Sequence, residues 1–229
     1  MEAIVLAGGF GTRLAARLNG VPKPMAPIAG RPFLQILLRQ LSRCGVTRVL
    51  LSVGYLHEAI QSYFGANFEG MDLEYAIEET PLGTGGAIRR TLERVREHAA
   101  LVLNGDTYLD ADFADMMRFH ATQSMPMTMA VTHQNDIARY GGIRVVDGRV
   151  AGFEEKGHSG SGWINAGAYV LNRSLPWPPQ CTGAFSFERD FLAAQASKLQ
   201  AAAYPVQGFF LDIGVPKDFD RAQFALAGF

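Results

Sequence analysis

Apolar runs alternate with amphipathic segments through the first half of the chain. The apolar, β-forming runs cover 3–7, 46–53, 73–77 and 100–104, and segments with helical spacing cover about 32–44, 56–64, 85–97 and 112–122. Continuous apolar runs predict buried strands, and their alternation with helices is typical of a parallel sheet covered on both faces. The pattern predicts a doubly wound, mostly parallel α/β fold of Rossmann-like type, with ligands at the carboxyl ends of the strands.

The second half of the chain has a different pattern. Asp147-Gly148 separates short β-forming runs at 143–146 and 149–154, which predicts a small antiparallel hairpin inserted in the fold. A strand at 163–171, a helix at about 185–198, a strand near 201–206 and a helix from Lys217 complete the prediction. Because no linker or repeat interrupts the pattern, we expect one domain over 1–229.

The first apolar run leads into a loop rich in glycine. The sequence is Leu-Ala-Gly-Gly-Phe-Gly-Thr-Arg-Leu over 6–14, followed by Pro-Lys-Pro-Met over 22–25. Glycines let backbone N–H groups approach an anion, and Arg13 and Lys23 add two cations. Leu14 stands where a dinucleotide fingerprint has its third glycine, and no Gly-Lys-Ser/Thr follows as in a P-loop. The loop therefore predicts a nucleotide-phosphate site of another kind.

Composition narrows the classes of partner. A net charge of −1 and a pI near 6.5 give no reason to expect nucleic acid or an anionic membrane. Cys44 and Cys181 lie far apart and the five histidines form no ligand pair, so neither a disulfide framework nor a zinc site is predicted. The absence of a long apolar run or signal-like segment leads us to expect a cytoplasmic protein without a membrane span.

Two aspartates end apolar runs. Asp106 follows Leu-Asn-Gly after the run at 100–104, and Asp212 lies within Phe-Leu-Asp-Ile-Gly-Val-Pro over 210–216. A carboxylate beside bound phosphates requires a cation, and a hard oxygen ligand suits Mg²⁺. A turn or helix-cap role is the structural alternative for Asp106.

The N-terminal motifs resemble those of the sugar-phosphate nucleotidyltransferases. Residues 6–14 and 22–25 match that family's pattern at every fixed position, and the similarity extends over the whole chain. The resemblance implies transfer of a nucleotidyl group from a nucleoside triphosphate to a sugar 1-phosphate, with release of pyrophosphate. It also implies that Arg13, Lys23 and Asp106 are catalytic, and that Asp106 and Asp212 hold Mg²⁺.

The same resemblance implies that about 1–135 forms the nucleotide-binding half. The expected nucleotide contacts are Leu6, Ala7, Gly8, Gly9, Gly11, Thr12, Arg13, Lys23, Glu78, Pro81, Gly83, Thr84 and Asp106. The family reads its base near Glu78, whose ionised carboxylate only accepts hydrogen bonds. Guanine presents two adjacent donors, so Glu78 favours GTP. The structural alternative is that Glu78 ends a strand in solvent.

The remaining residues, about 136–229, form the expected sugar-phosphate half. The expected contacts are Gly105, Tyr140, Gly141, Glu155, Lys156 and Asn165. By resemblance, Lys156 holds the sugar phosphate and Glu155 binds sugar hydroxyls. By itself, a Glu-Glu-Lys run is more often solvated surface. The chain departs from the family at Gly157, where a proline usually follows the lysine.

Three segments of this chain resemble one branch of the family in particular. Pro-Leu-Gly-Thr-Gly-Gly-Ala-Ile over 81–88, Phe-Glu-Glu-Lys over 153–156 and Asp-Ile-Gly-Val-Pro over 212–216 resemble D-glycero-α-D-manno-heptose 1-phosphate guanylyltransferases. Such enzymes supply GDP-heptose for bacterial capsule or surface-layer polysaccharide. The expected partners are GTP and a sugar 1-phosphate, and the sequence leaves a homodimer open.

Two kinds of alternative remain. Within the enzyme class, they are a mannose 1-phosphate guanylyltransferase and a uridylyltransferase acting on another sugar 1-phosphate, because the sugar pocket is thinly specified by sequence. In another class, a non-catalytic nucleotide-sugar sensor on the same fold would be expected to lack at least one of the charged residues listed above. Arg13, Lys23, Asp106, Lys156 and Asp212 are all present.

Overall fold

The computed structural model describes residues 1–9, 11, 14–18, 20–154, 156–157, 159–199 and 201–229. The strands are β1 (Glu2–Leu6), β2 (Pro27–Ile28), β3 (Arg31–Pro32), β4 (Arg48–Val53), β5 (Asn67–Phe68), β6 (Met71–Ile77), β7 (Ala99–Asn104), β8 (Thr107–Leu109), β9 (Met127–Gln134), β10 (Ile143–Val146), β11 (Arg149–Phe153), β12 (Gly162–Asn172), β13 (Ala202–Val206) and β14 (Phe210–Asp212). The α-helices are α1 (Ala15–Leu18), α2 (Phe33–Arg43), α3 (His57–Phe64), α4 (Gly83–Leu92), α5 (Phe113–Thr122), α6 (Ala194–Leu199) and α7 (Pro216–Ala225). A 3-10 turn covers Lys23–Met25, and a π-helical turn, Phe187–Ala193, leads into α6.

A ten-stranded sheet organises the chain, in the order β10-β11-β13-β9-β12-β7-β1-β4-β6-β5. The strands β7, β1, β4 and β6 are parallel, so their carboxyl ends share one edge. The predicted α/β fold is confirmed. The sheet is mixed, because β12 runs antiparallel between β7 and β9, and the hairpin β10–β11 extends this sheet.

Most predicted elements are present, with shifted ends. The predicted helix over 85–97 is α4, which begins at Gly83 and ends at Leu92. Strand β9 was not predicted from the sequence, although it pairs with both β12 and β13. Its sequence, Met-Thr-Met-Ala-Val-Thr-His-Gln, contains β-branched residues, but the buried Thr128 and Thr132 interrupt the apolar run that marks the other central strands.

The sheet separates two hydrophobic cores. Ala3 and Val5 of β1 point into the core that contains α2, α3, α5 and α7, whereas Ile4 points into the core that contains α4 and the π-helical turn. This alternation is what a strand covered on both faces requires. Among the described residues, no helix combines the length and the apolar character needed to cross a membrane.

His120 connects helix α5 to the mixed part of the sheet. The buried imidazole lies 2.9 Å from Thr128 Oγ1 through Nδ1 and 2.9 Å from Asn172 Oδ1 through Nε2. Because an amide oxygen only accepts, Nε2 donates to Asn172, and in the neutral ring Nδ1 then accepts from the threonine hydroxyl. Burial lowers the pKa of His120 below its ordinary value.

We expect this histidine to make folding stability fall in mild acid. Below about pH 6.5, the usual histidine value, the unfolded chain takes up a proton that the buried ring resists, so protonation favours unfolding. Urea unfolding at pH 7.5 and 5.5 should therefore show a larger loss for the wild type than for His120→Gln. An equal loss in the two proteins would assign the acid sensitivity to other groups.

Candidate active site

A cavity of about 820 Å³ opens at the carboxyl edge of the parallel strands. The segments after β1, β6 and β7 line one part of it, and residues of β12, the loop before β10 and the π-helical turn line the other. The position agrees with the rule that open α/β sheets bind ligands beyond their carboxyl ends.

The ends of β1 and β7 approach so closely that only glycine fits at 105. The N–H of Gly105 donates to the carbonyl of Leu6 at 3.0 Å, and a Cβ on Gly105 would lie 2.4 Å from that carbonyl oxygen. The contact directs the chain after β7 across the end of β1. As a result, Asp106 lies close to the start of the glycine loop.

Asp212 reaches the same place through the pairing of β8 with β14. The register sets Thr107 opposite Asp212, and the N–H of Ile213 donates to the carbonyl of Asp106 at 2.9 Å. Both aspartates line the cavity. The structure therefore brings together two residues that the sequence connected only by resemblance.

Each of these carboxylates has a cationic neighbour. Lys23 is buried and forms an ion pair with Asp106. Arg139 lies 3.4 Å from Asp212 through Nη2 and also forms an ion pair with Asp218 at the start of α7. The same guanidinium donates to the Tyr140 hydroxyl at 2.7 Å. Arg139 thus joins the loop before β10 to the segment that carries Asp212.

The electrostatics of the cavity are unusual for a site that would accept phosphates. Among the described lining residues, five carboxylates face four cationic side chains. Burial, and then the nearby charge of Asp106, raise the pKa of Asp212, although Gly214, Lys23 and Arg139 oppose the shift. Two carboxylates that repel each other across a cavity form a place where a cation is favoured.

Glu78 follows β6 and lines the cavity. The hydroxyl of Ser52 donates to its Oε1 at 2.9 Å, and the N–H of Leu82 donates to its Oε2 at 3.0 Å. A Cβ on Gly8 would lie 3.2 Å from Oε1, so this glycine keeps the loop close to the carboxylate. With one of these hydrogen bonds to each oxygen, each oxygen has a further lone pair that could accept from a ligand. The two hydrogen bonds also fix the orientation of the carboxylate.

Three glycines at the start of α4 form a surface for the segment over 183–187, which we call the glycine face. A Cβ on Gly83 would lie 2.6 Å from the Phe185 carbonyl oxygen, and one on Gly85 would lie 2.2 Å from its ring. A Cβ on Gly86 would lie 2.4 Å from the Gly183 carbonyl oxygen. The motif expected to lie beside the base therefore also packs against the segment that leads into the π-helical turn.

The predicted sugar side is made of turns and a bulge. Gly141 has φ +84°, and a Cβ there would lie 2.9 Å from the Glu154 carbonyl oxygen. Asn165 lies where the β12–β9 register shifts; it donates to the Tyr169 hydroxyl at 2.6 Å and accepts from Gly167 N at 3.0 Å. Lys156 lines the cavity.

Most of the predicted residues meet in this one cavity. Those that line it are Leu6, Gly8, Gly9, Lys23, Glu78, Pro81, Gly83, Thr84, Gly105, Asp106, Tyr140, Gly141, Lys156, Asn165 and Asp212. Ala7 is buried beneath the loop, and Gly11 packs against Leu18 and Lys23 away from the lining. Thr12, Arg13 and Glu155 lie outside the described residues, so their roles stay predictions.

The cavity also contains polar residues that the sequence analysis did not select. They are Asn104, Thr107, Arg139, Glu154, Ser186, Glu188 and Arg189. Asn104 and Arg139 directly precede selected motifs, so their neighbours gave a signal. Glu188 and Arg189 had none, because their segment looks like the start of an ordinary amphipathic helix.

We expect the glycine face to be needed for stability. In Gly86→Ala the new methyl group meets a backbone oxygen, and such overpacking costs about 1–3 kcal/mol, of which the better helix propensity of alanine offsets about 1 kcal/mol. The free energy of unfolding from urea titration should fall in this variant. Gly228→Ala is the control, since a Cβ there meets nothing within 4 Å. Unchanged or higher stability in Gly86→Ala would contradict the described packing.

The comparisons with known proteins agree with this geometry. A family model described as nucleotidyl transferase matches residues 2–227. The chain is 39% identical over 223 residues to the D-glycero-alpha-D-manno-heptose 1-phosphate guanylyltransferase of Aneurinibacillus thermoaerophilus, with 97% of each chain covered. It is 41% identical over 220 residues to the protein of that name from Campylobacter jejuni subsp. jejuni, covering 96% of this chain and 97% of the other.

Among solved structures, HddC from Yersinia pseudotuberculosis superimposes with a TM-score of 0.86 at 33% identity, covering 98% of this chain and 99% of that one. The same protein complexed with GMP-PN superimposes with a TM-score of 0.84. The glycine loop, the two aspartates at one sheet edge and the match over nearly the full length lead to one conclusion: the chain belongs to the nucleotidyl transferase family.

Proposed function

We propose that the protein transfers GMP from GTP to a sugar 1-phosphate and releases pyrophosphate. The sugar phosphate best supported is D-glycero-α-D-manno-heptose 1-phosphate, since the two curated relatives described above carry that name. The crystallised relative that bound GMP-PN supports a guanine nucleotide.

One observation carries the proposal: a single cavity contains Glu78, Asp106 and Lys156, which suit three parts of the reactants. Glu78 follows β6, Asp106 follows β7 and Lys156 follows β11, and β7 lies between the other two in the sheet. Since neighbouring strands are about 4.8 Å apart, the topology sets a base-side carboxylate and a sugar-side cation on opposite sides of the Asp106 region.

The reaction needs alignment and charge neutralisation more than proton transfer. A phosphate monoester has a second pKa near 6, so the sugar phosphate is already an anionic nucleophile at neutral pH. One of its oxygens forms a bond to the α-phosphorus of GTP, and the bond to the pyrophosphate oxygen breaks. Lys23 and the amides of Gly8 and Gly9 neutralise the triphosphate, together with Arg13 as predicted from sequence, and Lys156 holds the attacking phosphate.

A divalent cation, Mg²⁺, is part of the proposal. Asp106 and Asp212 are hard oxygen donors in the same cavity, and their mutual repulsion would be relieved by a cation. Within the described residues, no group of three or more His, Cys, Asp or Glu side chains is placed to hold a metal. Mg²⁺ usually binds through one or two carboxylates together with the substrate's phosphates, so Asp106 and Asp212 would be enough to hold it. When bound, it would neutralise charge on those phosphates.

Pyrophosphate release with purified protein tests the proposal. GTP, ATP, UTP and dTTP would each be combined with the heptose, mannose and glucose 1-phosphates in the presence of Mg²⁺. The highest kcat/KM is expected for GTP with the heptose 1-phosphate. A preference for mannose 1-phosphate would change the sugar, a preference for UTP would change the base, and no release with any pair would favour a nucleotide-sugar sensor.

Glu78 should determine the preference for guanine. Glu78→Gln replaces one acceptor oxygen by an NH₂ donor that faces the donors of guanine. A bidentate contact to guanine is worth about 1–3 kcal/mol, so kcat/KM for GTP should fall by roughly 5- to 150-fold. The value for UTP should fall less or rise.

Glu79→Gln is the matched control for this substitution. Glu79 is the exposed neighbour of Glu78 and does not line the cavity among the described residues. The ratio of the kcat/KM values for GTP and UTP should stay unchanged in this variant. A change in Glu79→Gln instead of Glu78→Gln would move base recognition to the neighbouring residue.

Lys156 should act on the sugar phosphate. A hydrogen bond to a charged group contributes about 1.5–3 kcal/mol, so Lys156→Met should raise the KM for the sugar 1-phosphate by roughly 10- to 150-fold. The KM for GTP should change much less. Lys217→Met, at an exposed lysine of α7, serves as control. A larger effect of Lys156→Met on GTP than on the sugar phosphate would reverse the assignment of the two halves.

A further inference from the structure

Glu188 lies in the cavity although no motif pointed to it. It belongs to the π-helical turn Phe187–Ala193, together with Arg189 and Ala193 of the lining. Glu188 is exposed, and it lines the wall of the cavity. Single π-type turns are rare and are often found at functional sites, because they redirect side chains that a regular helix would point elsewhere.

The turn that carries Glu188 is firmly held. The N–H of Phe187 donates to Thr84 Oγ1 at 2.9 Å, which ties the turn to the start of α4. Ser186 Oγ accepts from Arg189 N at 3.2 Å, and Asp190 Oδ2 accepts from Ser186 N at 2.8 Å. The Phe187 ring is buried, with its centroid 5.1 Å from that of Tyr169. These contacts fix the backbone position of Glu188.

The charges around Glu188 differ from those around the two aspartates. Lys23 and Arg139 form ion pairs with Asp106 and Asp212, whereas no ion pair within 4 Å joins Glu188 to another of the described residues. Shielding by the cavity walls and the charges of both aspartates raise the pKa of Glu188, and Lys156 and Asn104 act in the opposite direction. The cation that most favours its charge, Lys156, is the one assigned to the sugar phosphate.

This arrangement has a consequence when a phosphate engages Lys156. The bound phosphate pairs with the lysine, and Glu188 then faces an anion, with the Asn104 side chain as the remaining described group that favours its charge. An ionised carboxylate can only accept hydrogen bonds, so it requires donors from whatever enters with the phosphate. A sugar supplies such donors as hydroxyl groups, whereas a bare phosphate dianion supplies none.

We propose that Glu188 accepts hydrogen bonds from the hydroxyls of the sugar 1-phosphate and thereby selects a polyol phosphate over a bare phosphate. The inference rests on the proposed function, since it assigns a further contact in the sugar half of that site. Selection is twofold: hydroxyl donors are attracted, and an anion that brings no donor is repelled.

Glu188→Gln tests the proposal through two effects of opposite sign. The variant keeps the shape of the side chain but removes its charge. The Kd of D-glycero-α-D-manno-heptose 1-phosphate, measured by calorimetry without turnover, should rise about tenfold or more. The Kd of inorganic phosphate should stay the same or fall. In steady-state kinetics, the KM for the sugar phosphate should rise while the KM for GTP stays within about twofold.

Two further variants separate recognition from structure. Glu93→Gln makes the same change at an exposed glutamate of the α4 C-terminus and should leave every one of these values unchanged. Glu188→Asp keeps the charge on a shorter side chain, so it should still disfavour inorganic phosphate while binding the sugar phosphate less tightly than the wild type does.

The measured Kd values of the Glu188 variants decide between recognition of the sugar and positioning of Lys156. If Glu188→Gln weakens inorganic phosphate as much as the sugar phosphate, Glu188 only positions Lys156 and the proposal is overturned. An unchanged sugar-phosphate Kd would overturn it too. Because these binding measurements need no turnover, they judge Glu188 by themselves, whereas absence of pyrophosphate release in the wild type would count against the proposed function.

Discussion

The site depends on three residue pairs between two short strands. β8 and β14 are far apart in sequence, and their antiparallel pairing aligns Thr107 with Asp212 and lets Ile213 donate to the carbonyl of Asp106. Without this pairing, Asp212 would have no fixed relation to the end of β7. Arg139 would also lose its partners, because Asp212 and Asp218 both belong to the segment that β14 positions. A backbone contact thus determines where the charged groups meet.

Two carboxylates of the cavity form ion pairs with cationic side chains of the same cavity. Lys23 pairs with Asp106 and Arg139 pairs with Asp212, so the two aspartates do not face the cavity as bare anions. Partly buried ion pairs of this kind are costly to break one side at a time. Under the proposed function, substrate phosphates and a divalent cation would replace both partners together, which would keep each charge compensated. The arrangement therefore favours binding of a matched set of ions over binding of any single one.

The fold class and most of the residues that line the cavity could be predicted from the sequence. The elements and residues that could not be predicted were hidden for physical reasons. The glycine loop and Asp106 could be predicted because each leaves a short, local pattern in the sequence. Glycines mark a backbone that must approach a ligand closely, and an aspartate after an apolar run marks the end of a strand. The strand β9 was missed because its threonines and methionines obscure the apolar run. Glu188 was missed because an unusual turn, which no spacing indicates, aims it into the cavity. Local patterns identify residues that serve a site through their own segment, whereas residues delivered by packing between distant segments require the structure.

The glycine face connects the two ends of the cavity. Gly83 and Thr84 line the part assigned to the base, and the same stretch contacts the Phe185 backbone and the N–H of Phe187, one residue before Glu188. A substitution in the base-side loop would therefore be expected to disturb the packing of the turn on the sugar side. The nucleotide preference and the sugar preference of this protein would then depend partly on the same contacts. Grafting the base-side loop of a relative would be expected to alter sugar selectivity unless the segment over 183–188 were transferred with it.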